Sequence, residues 1–241
     1  MQGQRRQVGA GALRRYCGHV KFAAPLPQPV AAAMIELLYY PSNASFAPHL
    51  LLEEMGIPYT LRQVDRANNE HKSPAYLKLN PNGVIPVLVD GDLVLYETAA
   101  ILMHLADCHP GFAPATGTAE RAQYYKWMVW LTNTLQAMLI HYFYPDRMAA
   151  NADEVKARAE AQIAPMLDQM DAELARHGGD WFLGDQFTAV DPLAFMLCRW
   201  TRMQANPAKT RPALRAYLQR VFDRPATQRV VAKEKLLDPV F

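Results

Sequence analysis

Cysteine is scarce in this sequence, with three residues among 241, namely Cys17, Cys108 and Cys198. They form neither a C-x-x-C motif nor a metal-binding spacing, so we expect no metal site and a reducing, cytoplasmic setting. Long hydrophobic runs are also missing, since no apolar stretch reaches the roughly 18 residues that a membrane helix needs. We therefore expect no membrane partner and a globular protein of one or two domains.

Acidic residues are absent from positions 1–33, a stretch that contains four arginines and one lysine. We expect this segment to be a disordered basic extension ahead of a natural start at Met34. An Arg-rich leader without acids is also typical of a transit peptide, and that alternative stays open. The rest of the chain holds 20 basic and 23 acidic residues, which makes a nucleic-acid partner an unfavourable interpretation.

The apolar pattern after Met34 predicts a small α/β unit that ends at residue 110. The predicted elements, in chain order, are strand 35–40, helix 47–55, strand 59–65, two strands within 85–96 and helix 97–110. The two strands within 85–96 are joined by Asp90-Gly91, a dipeptide typical of hairpin turns.

No strand pattern returns in the second half of the chain. Residues 111–117 are rich in Pro, Gly and Thr, which is typical of a linker, and residues 118–241 predict helices. Within that part, Thr188 and Asp191 have the spacing of a helix-capping pair with Asp in place of Glu. The expected organisation is therefore an extension, an α/β domain, a linker and an all-helical domain.

Small polar residues lie where two predicted helices begin. Ser42, Asn43 and Ser45 precede the first helix, and Glu97 and Thr98 begin the helix after the hairpin. Free N–H groups at a helix N-terminus favour a carboxylate, and Glu97 would pair with an ammonium group. Glu97 and Thr98 therefore fit the ammonium and carboxylate of an α-amino acid in a ligand. Simple helix capping is the alternative role for these two residues.

Pro86, at the start of a predicted strand, is the other unusual feature, because proline has no backbone N–H to donate to the hydrogen bonds of a sheet. Either a cis Ile85–Pro86 bond or an ordinary trans edge proline fits this position.

Three segments of the sequence carry a family resemblance: "LLYYPSNASFAPHLLLEEMGIPYTLRQVD", "LNPNGVIPVLVDGDLVLYETAAILMHLAD" and "FTAVDPLAFML". With these segments, the sequence resembles the glutathione transferase family over residues 34–233. The resemblance implies a thioredoxin-like α/β N-terminal domain followed by an all-α C-terminal domain. The opening is similar to that of the bacterial beta class, with Ala44 in place of the class cysteine.

The resemblance implies that glutathione is the co-substrate, with no metal required. It assigns glutathione binding to Ile85, a cis Pro86, Glu97 and Thr98. Tyr39 lies inside the first predicted strand, and we expect it to be a core residue or a flanking contact to glutathione. The sulfur must react as a thiolate, which a hydroxyl or amide donor at a helix N-terminus stabilises. We rank Ser45 first as this donor, then Asn43, then Ser42.

An aromatic helical stretch at 119–143 is the candidate wall for a hydrophobic electrophile. Its candidate side chains are Trp127, Met128, Gln136, Met138 and Tyr142. The same stripe is typical of a core or a dimer interface, and the resemblance implies a homodimer. The function expected is conjugation of glutathione to hydrophobic electrophiles in detoxification. A glutathione-dependent peroxidase, disulfide reductase or isomerase, and a non-catalytic binding protein of this fold, are the alternatives.

Overall fold

A four-stranded mixed sheet lies at the start of the described chain, which in this computed structural model comprises residues 35–237 and 239–241. The strands are β1 (Ile35–Tyr39), β2 (Tyr59–Gln63), β3 (Val87–Asp90) and β4 (Leu93–Tyr96). Their order is β2-β1-β3-β4, in which β1 and β2 are parallel and the other two pairs are antiparallel. The expected extension at 1–33 lies outside the described residues and stays a prediction.

The hairpin between β3 and β4 turns one residue later than predicted. Asp90 pairs with Leu93, so the two-residue loop is Gly91–Asp92 and not Asp90-Gly91. Gly91 has a φ of 60°, a left-handed conformation that glycine adopts without a steric penalty. Glycine at the first loop position is the pattern of a type II′ turn, which matches the twist of the flanking strands.

Helices make up most of the remaining structure. They are α1 (Phe46–Met55), α2 (Pro74–Leu77), α3 (Thr98–Cys108), α4 (Ala119–Trp130), α5 (Ala137–Phe143), α6 (Ala152–His177), α7 (Val190–Trp200), α8 (Pro212–Phe222) and α9 (Pro225–Lys233). From residue 98 onward, the part of the chain that the structure describes contains helices, loops and one isolated β-bridge. The predicted thioredoxin-like α/β part followed by an all-helical part is therefore confirmed. None of the helices described is long and apolar enough to cross a membrane.

The two central strands, β1 and β3, bury side chains on both faces of the sheet, since successive strand residues point to opposite sides. Leu37 and Leu88 are fully buried in the cluster that contains α1 and α3. Leu38 and Val87 are fully buried on the other face, in a smaller cluster with Tyr76 of α2. Complete burial of an aliphatic side chain contributes about 1.5–3 kcal/mol to folding, so these contacts hold the sheet in place.

Helix α1 is held by the helical part of the chain as well as by the sheet. The rings of Phe46 and Phe195 lie 6.0 Å apart between centroids. Glu54 forms an ion pair with Arg224 at 2.5 Å, and the neighbouring Glu53 binds Arg229 at 2.6 Å. The orientation of α1, and of the loop that leads into it, therefore depends on α7 and α9.

Asp191 organises the start of α7 and is completely buried. Its carboxylate accepts hydrogen bonds from the Phe182 and Thr188 amides at 2.8 and 2.7 Å, and from the Tyr217 hydroxyl at 3.1 Å. The Thr188 hydroxyl accepts from the Val190 amide, one position earlier than a full capping box would place it. Burial raises the pKa of Asp191 to about 6.

We predict that Asp191→Asn lowers the free energy of unfolding by about 2–4 kcal/mol at pH 7, because an amide nitrogen would face donors that a carboxylate oxygen now accepts. The exposed Asp185 provides a matched control, Asp185→Asn. Denaturant titration measures both variants. Equal stability of the two variants would contradict the role assigned to Asp191.

The Asp191 carboxyl also makes the free energy of unfolding depend on pH. Because its pKa is raised from an ordinary 3.8 to about 6, the folded chain binds more protons than the unfolded chain between these values. The part of its contribution that comes from proton uptake on folding is therefore present below pH 4 and is lost as the pH rises through 6. The hydrogen bonds that the carboxylate accepts remain at pH 7. Asp191→Asn should lack this slope.

Candidate functional site

A cavity of about 560 Å³ opens beside the first residues of α1 and α3. Its sheet side is lined by Pro41, Ser42, Asn43, Ala44, Arg66, His71, Lys72, Gly83, Val84, Ile85, Pro86, Glu97 and Thr98. Its helical side is lined by Gln136, Ile140, Phe143, Tyr144, Arg147, Trp200 and Arg202. Seven of the thirteen residues on the sheet side are polar or charged, and the three aromatic residues of the lining are all on the helical side. The cavity therefore suits a ligand with two different parts.

Ser42 lies at the bottom of the loop that leads into α1. It has a φ of 63°, which a residue with a side chain rarely adopts. Its amide donates to Glu234 Oε2 at 2.8 Å, and its hydroxyl oxygen accepts from Arg199 Nη1 at 2.9 Å. Because the oxygen already accepts a hydrogen bond, the hydroxyl proton is left for a ligand in the cavity.

A buried charge network stands behind Ser42. Arg199 of α7 and Glu234, just after α9, are 2% and 3% exposed, so both charges are shielded from water. His49 Nδ1 lies 2.8 Å from Glu234 Oε1. Burial lowers the pKa of Arg199 to about 10, which still leaves the guanidinium charged at neutral pH. A positive charge therefore lies directly behind the Ser42 hydroxyl.

Asn43 and Ser45, the other two predicted donors, occupy different environments. Asn43 lines the cavity, and its side-chain oxygen accepts from the Ala44 amide at 2.7 Å, which leaves its NH₂ group for a ligand. Ser45 is completely buried and does not line the cavity. Its hydroxyl accepts from the Tyr40 amide at 3.1 Å and donates to the Tyr40 carbonyl at 3.0 Å. The geometry therefore favours Ser42 and Asn43 over Ser45.

Glu97 and Thr98 line the cavity together at the first turn of α3. Glu97 is exposed and has a φ of 73°, a conformation that is costly for a residue with a side chain and is often found at ligand sites. The Thr98 hydroxyl is buried and donates to the Ala44 carbonyl at 3.4 Å. This arrangement joins the start of α3 to the loop before α1.

The Ile85–Pro86 peptide bond is cis, as the resemblance implied, and both residues line the cavity. Tyr39 does not line it, because this residue belongs to β1 and turns its ring edge toward His49, 6.0 Å away between centroids. Sequence reasoning missed three basic residues on the sheet side, Arg66, His71 and Lys72. They follow β2 in a loop-rich segment that has no periodicity to mark them.

Only one of the five residues predicted to form the electrophile wall lines the cavity. Gln136 lines the cavity, whereas Trp127 and Met128 are 1% and 0% exposed in the core. Met138 and Tyr142 pack against the core and do not line the cavity. The cavity-lining residues that sequence reasoning missed in this segment are Ile140, Phe143, Tyr144 and Arg147.

A π-helical turn at Leu131–Gln136 separates α4 from α5. A π turn holds more residues than an α turn, so it rotates the helix faces that follow it. After this turn, Gln136, Ile140 and Phe143 are spaced at i, i+4 and i+7 and line the cavity from one helical face. Tyr144 and Arg147 also line the cavity, but they lie beyond the end of α5, where the Tyr144 backbone is no longer helical. Sequence periodicity reveals neither the π turn nor the residue at which α5 ends.

Comparison with known proteins identifies the family of the chain. Residues 34–107 match the family of glutathione S-transferase N-terminal domains, and residues 153–220 match the family of glutathione S-transferase C-terminal domains. The chain belongs to the glutathione S-transferase family. It is 32% identical over 212 residues to glutathione S-transferase 3 of Zea mays, covering 78% of this chain and 89% of that protein.

Two further relatives show the range of this glutathione S-transferase family. The disulfide-bond oxidoreductase YfcG of Escherichia coli K12 is 27% identical, with 85% of this chain and 98% of that protein covered. A crystal structure of a glutathione transferase homologue from Sulfitobacter with bound glutathione superposes with a TM-score of 0.77 and 28% identity. That match covers 85% of this chain and 100% of the other.

Glu234 holds the loop before α1 in place by accepting a hydrogen bond from the Ser42 amide. We predict that Glu234→Gln accelerates hydrogen exchange at the Ser42 amide and lowers the free energy of unfolding by about 1–3 kcal/mol, because the Ser42 amide and the buried His49 lose their carboxylate partner. The matched control is Glu120→Gln at an exposed position. Equal exchange rates at Ser42 in the two variants would show that Glu234 does not hold the loop.

Proposed function

We propose that this chain is a glutathione transferase that conjugates glutathione to hydrophobic electrophiles. The observation that carries the proposal is the single cavity in which Ser42, the start of α3 and an aromatic helical wall meet. This arrangement would place a polar tripeptide on the sheet side and an apolar second substrate opposite its sulfur. Bringing two reactants together in this way lowers the entropic barrier to their reaction.

The γ-glutamyl end of glutathione carries an ammonium and a carboxylate, which the start of α3 would bind as a pair. Glu97 supplies an exposed carboxylate for the ammonium. The N-terminal amides of α3, beginning at Thr98, suit the carboxylate because they are free donors at the positive end of the helix dipole.

The glycyl carboxylate, at the other end of glutathione, would face the basic residues that sequence reasoning missed. Lys72 Nζ lies 3.3 Å from the Asn82 carbonyl, and the Arg66 guanidinium lies 5.1 Å from the centre of the Tyr40 ring. Both side chains line the cavity, and neither contacts a carboxylate among residues 35–237 and 239–241. Between these ends, Ile85 would meet the cysteinyl backbone.

The cysteinyl sulfur would then lie against the loop before α1. The Ser42 hydroxyl donates a hydrogen bond to the thiolate, and the charged Arg199 behind it makes this hydrogen bond more favourable. Asn43 adds an amide donor from the same loop. In the reaction, the thiol proton leaves to solvent, the sulfur forms a bond to the electrophilic carbon, and the leaving group departs with its bonding electrons.

Several broader assignments accompany this proposal. The opening from Tyr39 to His49 supports a relationship to the beta class with Ala44 in place of cysteine. Large apolar side chains exposed on α4 and β4, such as Val129 and Val94, support a homodimer. We also propose the predicted division into domains at 34–110 and 118–241, and a cytoplasmic location.

Thiol–disulfide exchange is the second candidate, because a relative is a disulfide-bond oxidoreductase. Of the two cysteines in the described part of the chain, Cys108 is exposed and Cys198 is buried, and neither lines the cavity. Among the described residues, therefore, no cysteine is placed in the cavity to react, and the thiolate of glutathione would supply the nucleophile. Reduction of a glutathione mixed disulfide that exceeds conjugation, compared at the same enzyme concentration, would favour this candidate.

We predict that Ser42→Ala lowers kcat/KM for a chlorinated nitroarene by about 10- to 100-fold, the worth of one hydrogen bond to a charged group. The apparent pKa in the pH profile of kcat/KM should move upward, because the thiolate loses a donor. Asn43→Ala should show a smaller change of the same sign. Ser45→Ala is the control, expected to lower the melting temperature without moving the pKa. An upward shift only in Ser45→Ala would contradict this assignment.

A second prediction concerns Glu97 and the ammonium group of glutathione. Replacing glutathione by glutaryl-Cys-Gly, which lacks that ammonium, should weaken binding to the wild type by about tenfold. Glu97→Gln should bind glutathione about tenfold more weakly than the wild type and should lose most of the preference between the two tripeptides. Calorimetry measures the dissociation constants of both tripeptides for the wild type and for Glu97→Gln, and the four values form a thermodynamic cycle. Independent, additive losses would show that Glu97 does not contact the ammonium.

A further inference from the structure

The helical side of the cavity carries two guanidinium groups whose charges are not balanced there. Arg147 and Arg202 line the cavity, and among the lining residues that the structure describes the one carboxylate is Glu97, on the sheet side. Neither arginine forms an ion pair with another of the described residues. Asp146, the acidic neighbour of Arg147, is exposed and does not line the cavity.

Both guanidinium groups are held in place by local contacts. Arg147 lies over the ring of Tyr144, 4.0 Å from its centre. Arg202 is partly buried, and its Nη1 donates to the Arg199 carbonyl at 3.1 Å. Burial lowers the pKa of Arg202, which reflects the cost of holding a cation away from water without a counter-charge. An anionic ligand group would offset that cost.

Glutathione itself does not account for these two cations. Its ammonium matches Glu97, its two carboxylates match the start of α3 and the Arg66–Lys72 pair, and its sulfur matches Ser42. Arg147 and Arg202 instead lie beside the aromatic wall, where the rings of Phe143 and Trp200 meet edge to face at 6.2 Å. They are therefore left for the second substrate.

We propose that the preferred electrophile has an aromatic or otherwise apolar body and carries an anionic group, a carboxylate or sulfonate, which Arg147 and Arg202 bind. The proposal rests on the conjugation reaction proposed above and names its substrate class. The apolar body contacts Phe143 and Trp200, while the anion adds a charge-assisted contact that a neutral electrophile lacks. Electrostatic attraction of this kind contributes to selection between ligands of similar shape.

A pair of matched chloronitroarenes tests this preference. In 4-chloro-3-nitrobenzoate and 4-chloro-3-nitrobenzamide, the thiolate attacks the carbon that bears chlorine, a C–S bond forms, and chloride leaves. Each kcat/KM is divided by the uncatalysed rate constant with glutathione, because the amide activates the ring more strongly than the carboxylate does. We expect the wild type to favour the benzoate in this normalised ratio, and the preference to shrink as salt is added.

Replacing the arginines should remove the preference. The double variant Arg147→Gln, Arg202→Gln is expected to lower the normalised benzoate-to-benzamide ratio by about tenfold, with each single variant intermediate. Arg158→Gln is the matched control, because it removes the same charge from a side chain that is 76% exposed and paired with Glu154. An equal loss for both electrophiles, or an equal change of ratio in Arg158→Gln, would overturn the proposal.

Binding of the two products separates this inference from the proposed function. Calorimetry with S-(4-carboxy-2-nitrophenyl)glutathione and its carbamoyl counterpart requires no turnover. Tighter binding of the carboxy conjugate to the wild type, lost in the double variant, would support the inference even if conjugation were absent. Equal affinities of the two conjugates would overturn the inference and leave the transferase proposal standing. Failure of plain glutathione to bind would overturn the glutathione site itself, and the inference with it.

Discussion

The hydrogen bond from the Arg199 guanidinium to the Ser42 hydroxyl is 2.9 Å long, and its arginine is 2% exposed. It links the helical part of the chain to the loop before α1. Glu234 holds the same loop through the Ser42 amide and contacts His49 of α1. A buried charge is costly unless its partners are fixed, so the network requires α1, α7 and the end of α9 to be packed correctly. The proposed sulfur site is therefore complete only when both parts of the fold are in place.

The two sides of the cavity divide the chemistry between them. The sheet side offers one carboxylate, one helix N-terminus and a pair of cations, which together match the charges of a tripeptide. The helical side offers aromatic rings and two cations with no carboxylate among its described lining residues. The proposed glutathione site uses the first side, and the proposed preference for an anionic electrophile depends on Arg147 and Arg202 of the second.

The sequence predicted the order of elements and a helix over 97–110, observed as Thr98–Cys108, because these depend on local patterns. The residues alone left the Ile85–Pro86 bond open between cis and trans, and the family resemblance implied the cis form that is observed. It ranked Ser45 above Ser42, yet the Ser45 hydroxyl closes a turn with Tyr40. Which of two nearby hydroxyls faces a cavity depends on backbone dihedral angles, and residue types do not specify those. The contact between Arg199 and Ser42 joins residues 157 positions apart, a separation at which one sequence offers no periodic signal.

The most direct test of this account is a crystal structure of the protein with glutathione bound. We expect the sulfur to lie about 3.5 Å or less from Ser42 Oγ, within hydrogen-bond range of a thiolate, with Arg199 still bonded to the far side of that hydroxyl. A sulfur that contacts Asn43 alone, or one that lies away from this loop while Ser42 remains turned toward Arg199, would contradict the proposed role of Ser42.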